Sequence, residues 1–483
     1  MLAGNLSSTL GIIAALVVLV LVARFSIAAA GRSPTRALLI GFTAIIFSGA
    51  ILLMLPAAHR GEGLDFTDAV FTATSATCVT GLTVQDTGGV FTRLGQTIIL
   101  VMIQAGGLGI MIFGTLFALL LGSPLSLRES VALRDIMQEQ TPSRIGRIVV
   151  FICLFTLVLE ALGFLGLCGM WHVDPLRGGQ LFNSVFHSIS AFCNAGFSLQ
   201  PDNLETYRLS WRVYLVICPL IIMGGLGFPV LENLWKILLR RWITWGKNPG
   251  NTVVHPVNLT LHSKLVLTTT LVLLLLGWLL LLILELIRPD GNKEVFWMNS
   301  LNALFNSVTA RTAGFNTMNI SSLSAGSKLV LILLMTVGGS PSSTAGGIKT
   351  VTLAVMVLAI YATIKRRQQV LIFHRTIPVM IVRRAATLIL LYGMLLWLIT
   401  LLLTITEHSL SADVLELLFE AASALGTVGL STGVTEHLTT AGKWVIITAM
   451  FVGRLGPLSL LAALTFNVRP LRYEYPREPL VIG

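Results

Sequence analysis

One short pattern occurs four times along this chain, and it limits the possible folds more than any other feature. The stretches are Phe71 to Thr83, Phe186 to Ser198, Leu304 to Asn316 and Phe419 to Ser431. Each opens on a large apolar residue and closes with glycine, then Leu or Phe, then a small polar residue. The closing glycines, Gly81, Gly196, Gly314 and Gly429, are 115, 118 and 115 residues apart. A period held over such distances marks a repeated structural unit.

Each stretch is too short and too polar to cross a bilayer, yet each lies between two apolar runs that can. Ala37 to Leu55, Ile148 to Trp171, Leu265 to Ile287 and Ala386 to Ile405 precede the four stretches; Gln96 to Leu121, Val213 to Leu239, Leu329 to Ile364 and Trp444 to Phe466 follow them. About 20 apolar residues span a hydrocarbon core of roughly 30 Å as a helix. Charged residues make up 11% of the chain, against about a quarter in soluble domains, which excludes a soluble fold. Two spans per unit return the chain to its starting side, so the units are parallel repeats rather than inverted ones.

The expected fold class is all-α integral membrane, with four parallel helix–pore-loop–helix repeats around a pseudo-fourfold pore. The expected division is an N-terminal segment 1–36, repeat 1 at 37–121, a linker 122–147, repeat 2 at 148–239 and a linker 240–264. Repeat 3 then covers 265–364, a linker 365–385, repeat 4 386–466 and a tail 467–483. An extra apolar segment, Leu10 to Ala23, precedes the first unit, and the sequence leaves open whether it spans. The run ending in Ala28, Ala29 and Ala30 resembles a cleavable signal but lacks a basic leader, so no cleavage is expected.

The formal charge of +11 sits in short segments between apolar runs, which argues for orientation signals and lipid contact rather than a nucleic-acid partner. The three linkers hold 14 Lys and Arg in 71 residues, and the four loop-bearing segments hold 10 in 155. The linkers are therefore expected in the cytoplasm and the loops outside. Cys78, Cys153, Cys168, Cys193 and Cys218 form no CxxC pair, so neither a disulfide framework nor a zinc site is indicated. HExxH and P-loop patterns are absent, and no enzymatic activity is expected.

Non-helical backbone at membrane depth needs protein or a water-filled space around it. Four such loops imply a shared cavity. Half-helices near Asp68 to Thr77, Asn183 to Phe192, Leu301 to Ala310 and Glu416 to Leu425 would aim their partially negative C-termini at its axis, which favours a cation. Carbonyls presented to one side replace an ion's lost water, and glycine relieves the dihedral strain this imposes. The expected filter residues are Cys78, Val79, Thr80 and Gly81; Cys193, Asn194, Ala195 and Gly196; Thr312, Ala313 and Gly314; and Thr427, Val428 and Gly429, with K+ as the bound ion.

Gly338, Gly339, Ser340, Pro341, Ser342, Ser343, Thr344, Ala345, Gly346 and Gly347 interrupt the second helix of repeat 3. Four glycines and a proline make a continuous helix there improbable. This stretch is expected to cross the pore below the third filter as a gate, with Lys349 anchoring it or repelling cations. Arg454, in the last apolar run, is expected near the gate, because an intramembrane Arg faces a cavity or an acid rather than lipid. Arg311 should point away from the axis, with Asp68, Glu416 or Glu420 as possible neutralising acids. Glu160, Glu285 and His187 read as structural groups.

The stretches TCVTGL, CNAGF, RTAGF and GTVGL, together with GGSPSSTAGGIKT and VGRLGPLS, resemble the pore subunits of the Trk/Ktr/HKT potassium-transporter superfamily, most closely the bacterial KtrB type. The resemblance runs from about Ala37 to the end. It implies potassium uptake across the bacterial plasma membrane, a homodimer with one pore per protomer, the intramembrane gate, and regulation by a cytosolic ring of nucleotide-binding RCK subunits. It also implies that glycine in all four filters accompanies potassium selectivity, whereas serine in the first accompanies sodium. Sodium as activator or co-ion, a sodium-selective or sodium-coupled cation transporter, and an alternating-access solute carrier remain the competing readings.

Overall fold

The computed structural model describes residues 34–61, 63–109, 145–171, 179–244, 258–287, 296–410 and 412–456. Leu10 to Ala23, residues 110–144 and 245–257, and the tail after Gly456 lie outside the described residues.

The first repeat contains α1 (Pro34–Leu53), α2 (Phe66–Thr77) and α3 (Arg93–Leu108). The second contains α4 (Ile145–Leu167), α5 (Gln180–Cys193), then α6 (Cys218–Leu226) entered through a π-helical turn at Val213–Ile217, and α7 (Phe228–Thr244). The third contains α8 (Leu261–Ile287), α9 (Phe296–Thr309), α10 (Ala325–Thr336) and α11 (Thr350–Ile364). A short antiparallel hairpin, β1 (Val370–Ile372) and β2 (Arg375–Ile377), leads to α12 (Val379–Thr406), α13 (Val414–Gly426) and α14 (Thr440–Leu455).

Length sorts these helices into two kinds. At 1.5 Å per residue, α8 and α12, with 27 and 28 residues, extend about 40 Å and cross a bilayer with some tilt. Leu271, Val272, Leu275, Leu276 and Leu279 of α8 are all exposed, which suits a lipid-facing helix that is apolar all round. In contrast, α2, α5, α9 and α13 have 12 to 14 residues, about 20 Å, too short to span. Each is buried toward its C-terminal end, and every residue of α2 after Phe66 is buried.

Packing is cyclic. The second helix of each repeat lies against the half-helix of the next: α3 on α5, α6 on α9, α10 on α13, and α14 back on α2. The core is thus a ring of half-helices inside a ring of longer ones. Phe71, Phe186 and Phe419 occupy equivalent, fully buried places. In the third repeat Phe305 rather than Leu304 is fully buried, so that phenylalanine stands one residue nearer its glycine than its three counterparts do.

The sequence reading places one broken second helix, in repeat 3, and α10 and α11 do flank residues 337–349. However, the run Val213 to Leu239 is not one helix. It bends by 108° at Gly227 between α6 and α7, where Gly227 has φ +84° and Pro229 follows. Gly109 after α3 and Gly456 after α14 have the same conformation, with φ +76° and +80°, which no straight helix can pass through. Thus α3 ends at Leu108 and α14 at Leu455, and the rest of the two runs after Gly109 and Gly456, to Leu121 and Phe466, lies outside the described residues. The fourth repeat's first helix begins at Val379 rather than Ala386, because Pro378 at its N-cap sets the start.

Candidate ion pathway

The four glycine turns meet. A side-chain carbon built on Gly81 would collide with the carbonyl of Ala195 and lie 3.1 Å from Gly196 Cα; one on Gly196 would lie 2.8 Å from both Ala313 O and Gly314 Cα. From Gly314 the neighbour is Val428 O at 2.5 Å, and Gly429 returns to Thr80 O with Gly81 Cα at 3.0 Å. The order 1, 2, 3, 4, 1 therefore closes at the level of single atoms. The carbonyls preceding the glycines, of Thr80, Ala195, Ala313 and Val428, form its inner edge.

All four glycines have positive φ, between +69° and +96°, the region that costs an L-residue with a Cβ. Two residues earlier the same conformation recurs at Val79, Asn194, Thr312 and Thr427, with φ of +55°, +60°, +71° and +51°. Three of those are β-branched, for which this backbone is a genuine outlier. Strain repeated at four equivalent places is strain the surrounding fold maintains. Its effect is to turn successive carbonyls toward one side, as an ion filter requires.

Hydroxyls at the ends of the half-helices hold these turns. Ser75 Oγ accepts from Gly81 N at 3.1 Å and Ser423 Oγ accepts from Gly429 N at 3.1 Å. Ser190 Oγ donates to Phe197 O at 2.9 Å, and Thr309 Oγ1 donates to Phe315 O at 2.6 Å. These four were absent from the sequence-derived site, although Ser stands six residues before the glycine in three of the four repeats. The hydroxyls of Thr80, Thr312, Thr344 and Thr427 are buried without a protein hydrogen-bond partner, so oxygen acceptors for a cation or its water are available along the axis.

On one side of the ring opens a cavity of about 350 Å3 lined by Gly81, Gly196, Gly314 and Gly429 and, above them, by Asp86, Asp202, Glu205 and Glu436. Its described lining includes four carboxylates and no Lys or Arg, against a chain total of +11. Asn316, two residues beyond Gly314, donates to Glu205 Oε1 at 2.8 Å. Burial, and after it the charge of Asp202, raises the Glu205 carboxyl above its ordinary value.

On the opposite side lies the 338–349 segment. Its neck is closed by Gly338 N to Ile348 O and Ile348 N to Thr336 O, both 3.0 Å. Ser343 Oγ donates to Ser340 O at 2.7 Å, and Lys349 Nζ to Ala345 O at 2.6 Å. Gly346 packs against Thr427 and Gly426, and Gly338 faces Thr312, so the segment meets the third and fourth turns from below. Gly347 has φ +65° and sits between Thr336 O and Gly338.

Two buried guanidinium groups reach the same segment. Arg454 donates to Thr344 O and to Gly106 O. Arg311 donates to Gly338 O at 3.2 Å and Thr270 O at 3.4 Å. None of the suggested acids reaches Arg311: Asp68 pairs with Lys443, Glu416 with Lys328, and Glu420 accepts from Ser431, Thr432 and Thr435. Main-chain carbonyls hold it instead: Gly338 O, left free where α10 has ended, and Thr270 O within α8, while its Nε has no protein partner. Glu160 accepts from Gln104 at 3.3 Å, and His187 is held by Asn183 O, Ser198 Oγ and the face of Trp171, the structural roles expected of both.

Membrane-length helices around a closed ring of half-helix turns, acidic on one side and strapped by a broken helix on the other, define a membrane transporter for cations. The chain belongs to the TrkH family, described as cation transport protein, whose match covers residues 11–468. It is 40% identical over 432 residues to the Ktr system potassium uptake protein B of Bacillus subtilis (strain 168), covering 89% of this chain and 92% of that protein. The Vibrio alginolyticus protein of the same description is 36% identical, covering 94% and 96%, and the potassium/sodium uptake protein NtpJ of Enterococcus hirae is 35% identical, covering 93% and 97%. The fold matches the crystal structure of the potassium transporter TrkH from Vibrio parahaemolyticus with a TM-score of 0.67 at 21% identity, over 90% of this chain and 85% of that one.

Proposed function

We propose that the chain takes up potassium across the plasma membrane through the ring of main-chain carbonyls around Gly81, Gly196, Gly314 and Gly429. The observation that carries this reading is the closure of the four turns on one another. Backbone oxygens coordinate the ion, which is why the residues beside the glycines differ from repeat to repeat. The relatives described as potassium uptake proteins support potassium over other cations.

In this reading the 338–349 segment is the gate, with Arg454, Lys349 and Arg311 holding it by its carbonyls. A cation brought to those carbonyls competes with the three side chains, so opening requires their release. The protein works as a homodimer under a cytosolic nucleotide-binding RCK ring, as the resemblance to the Ktr type implies. The described hairpin 370–377 and the basic linkers are the surfaces such a ring would meet.

The test is rubidium, potassium and sodium flux in liposomes, comparing the wild type with Gly81→Ser. A Cβ at Gly81 collides with the Ala195 carbonyl, so the variant should lose at least about tenfold of its potassium preference, ~1.4 kcal/mol. Unchanged selectivity would remove the carbonyl ring as the filter. Strict dependence of the flux on an organic substrate would point to a carrier instead.

A further inference from the structure

The bend at Gly227 turns α7 away from the pore, and two observations give that helix a role of its own. The first is its surface. Trp235, Leu238, Leu239 and Trp242 are exposed, at 46%, 61%, 42% and 72%, and their spacing of three, four and seven residues puts them on one stripe. Lys236, paired with Glu232 one turn back at 2.5 Å, and Arg241 are exposed beside it. If α6 crosses the bilayer, a helix at 108° to it runs close to the membrane plane. Tryptophan and leucine on one face with lysine and arginine at its edge suit a helix lying among lipid headgroups.

The second observation is what the other end of α7 holds. Four hydrogen bonds tie the α6–α7 bend to the 338–349 segment. Ser340 N donates to Gly225 O at 2.9 Å, Thr344 N to Gly224 O at 3.4 Å, and Phe228 N to Ser342 O at 3.2 Å; Ser340 Oγ donates to Leu226 O. Gly227 itself lies so close to Ser340 Oγ and Pro341 O that a side chain there would strike both. Three of these bonds fix the end of α6, while the Phe228 amide and the wedged Gly227 stand at the start of α7, so a rotation of α7 about this bend must break the Phe228 bond and press on Ser340 and Pro341 or carry the segment with it.

We propose that α7 is a lipid-anchored lever: anionic headgroups, drawn by Lys236 and Arg241, hold it at the membrane surface and thereby keep the 338–349 segment docked, lowering cation flux. This rests on the reading of that segment as the gate. An anionic bilayer is the occupant the positive edge and apolar stripe both fit, since apolar area and basic charge add in binding to such a surface. A second copy of the chain is the rival occupant.

The experiment places the full-length protein in phosphatidylcholine vesicles with and without phosphatidylglycerol and measures rubidium flux. One basic residue near an anionic surface changes binding about fivefold, so wild-type flux should be at least about fivefold lower with phosphatidylglycerol. Lys236→Gln/Arg241→Gln should carry the same flux in both vesicles, at the neutral-vesicle level. A spin label on Leu238→Cys should collide with oxygen in the lipid rather than with an aqueous nickel reagent. Ser340→Ala should narrow the lipid response while that label stays in the lipid.

Wild-type flux that ignores phosphatidylglycerol, or a label exposed to the aqueous reagent, overturns the lever. So does a disulfide formed between two copies through Leu238→Cys, which would make the stripe a contact between copies. Arg454→Gln separates the two readings: raised flux alongside a wild type indifferent to lipid sinks the lever and leaves the gate, whereas unchanged flux in Arg454→Gln sinks both.

Discussion

The ammonium of Lys443 lies 2.6 Å from Asp68 Oδ1 and joins the first turn of α14 to the first turn of α2. These residues are 375 positions apart, and their pairing fastens the fourth repeat to the first. Lys328 and Glu416, 3.0 Å apart, do the same for the third and fourth repeats. A ring of equivalent units needs such links most at its seam, because the seam is where no chain connection holds the half-helices together.

Breaking the seam should destabilise more than its modest charge suggests. Asp68 is 9% exposed and Lys443 18%, and removing one partner of such a pair leaves the other unpaired at a cost of ~3 kcal/mol. Asp68→Asn and Lys443→Met should each lower the thermal unfolding temperature of the detergent-solubilised protein. The double variant should recover most of the loss. Additive losses would mean that the pair contributes nothing as a pair.

The hydroxyls behind the ring of glycine turns, the filter proposed above, differ in what they supply. Ser75 and Ser423 accept from the amides of Gly81 and Gly429, so Ser75→Ala or Ser423→Ala strands a buried donor at ~1–3 kcal/mol. Ser190 instead donates to a carbonyl, an acceptor that tolerates under-satisfaction better. Potassium over sodium preference in liposome flux should fall about tenfold or more in the first two and clearly less in Ser190→Ala. Equal effects at all three positions would contradict this division.

The glycine period made the ring legible, because each glycine sits where a Cβ would strike the next repeat, and such a constraint leaves the same letter four times. The second positive-φ position was hidden for the opposite reason. Val79, Thr312 and Thr427 are residue types that avoid this backbone, so local preference argues against what tertiary packing imposes. Four glycines and a proline within ten residues announced the break at 338–347, while Gly109, Gly227 and Gly456 have fewer glycines around them, with Pro229 and Pro457 just after two of them, and stand inside apolar runs long enough to read as spans, where each glycine costs a helix only about 1 kcal/mol. The partners of Arg311 were unreadable because main-chain carbonyls leave no letter in the sequence, and the acids considered for it were already engaged.

Arg454 should restrain flux without setting selectivity. Its guanidinium bridges Thr344 O in the 338–349 segment, the proposed gate, and Gly106 O near the end of α3, and glutamine cannot reproduce the fork that reaches both. Arg454→Gln should raise basal rubidium flux about tenfold, ~1.4 kcal/mol of lost hold, with the potassium to sodium ratio unchanged. Lys349→Gln, which loses a single contact to Ala345 O, should raise it less. A fall in flux in Arg454→Gln would show that the side chain supports the open pathway instead.

The acidic mouth should give uptake a pH dependence with a definite sign. Burial and the charge of Asp202 raise Glu205, so its negative charge is lost, as pH falls, before that of an ordinary carboxylate. The charge concentrates cations at the entrance, and each step of protonation removes attraction. Potassium uptake at low potassium and low ionic strength should therefore begin to decline above the ordinary carboxylate range. Glu205→Gln should already be about two- to threefold slower at neutral pH and should lack that first decline. Salt at about 0.15 M shortens the screening length to ~8 Å and should shrink the difference between the two proteins; a difference that persists undiminished in salt would mean that Glu205 acts through its bond to Asn316 and the third filter turn rather than through its charge.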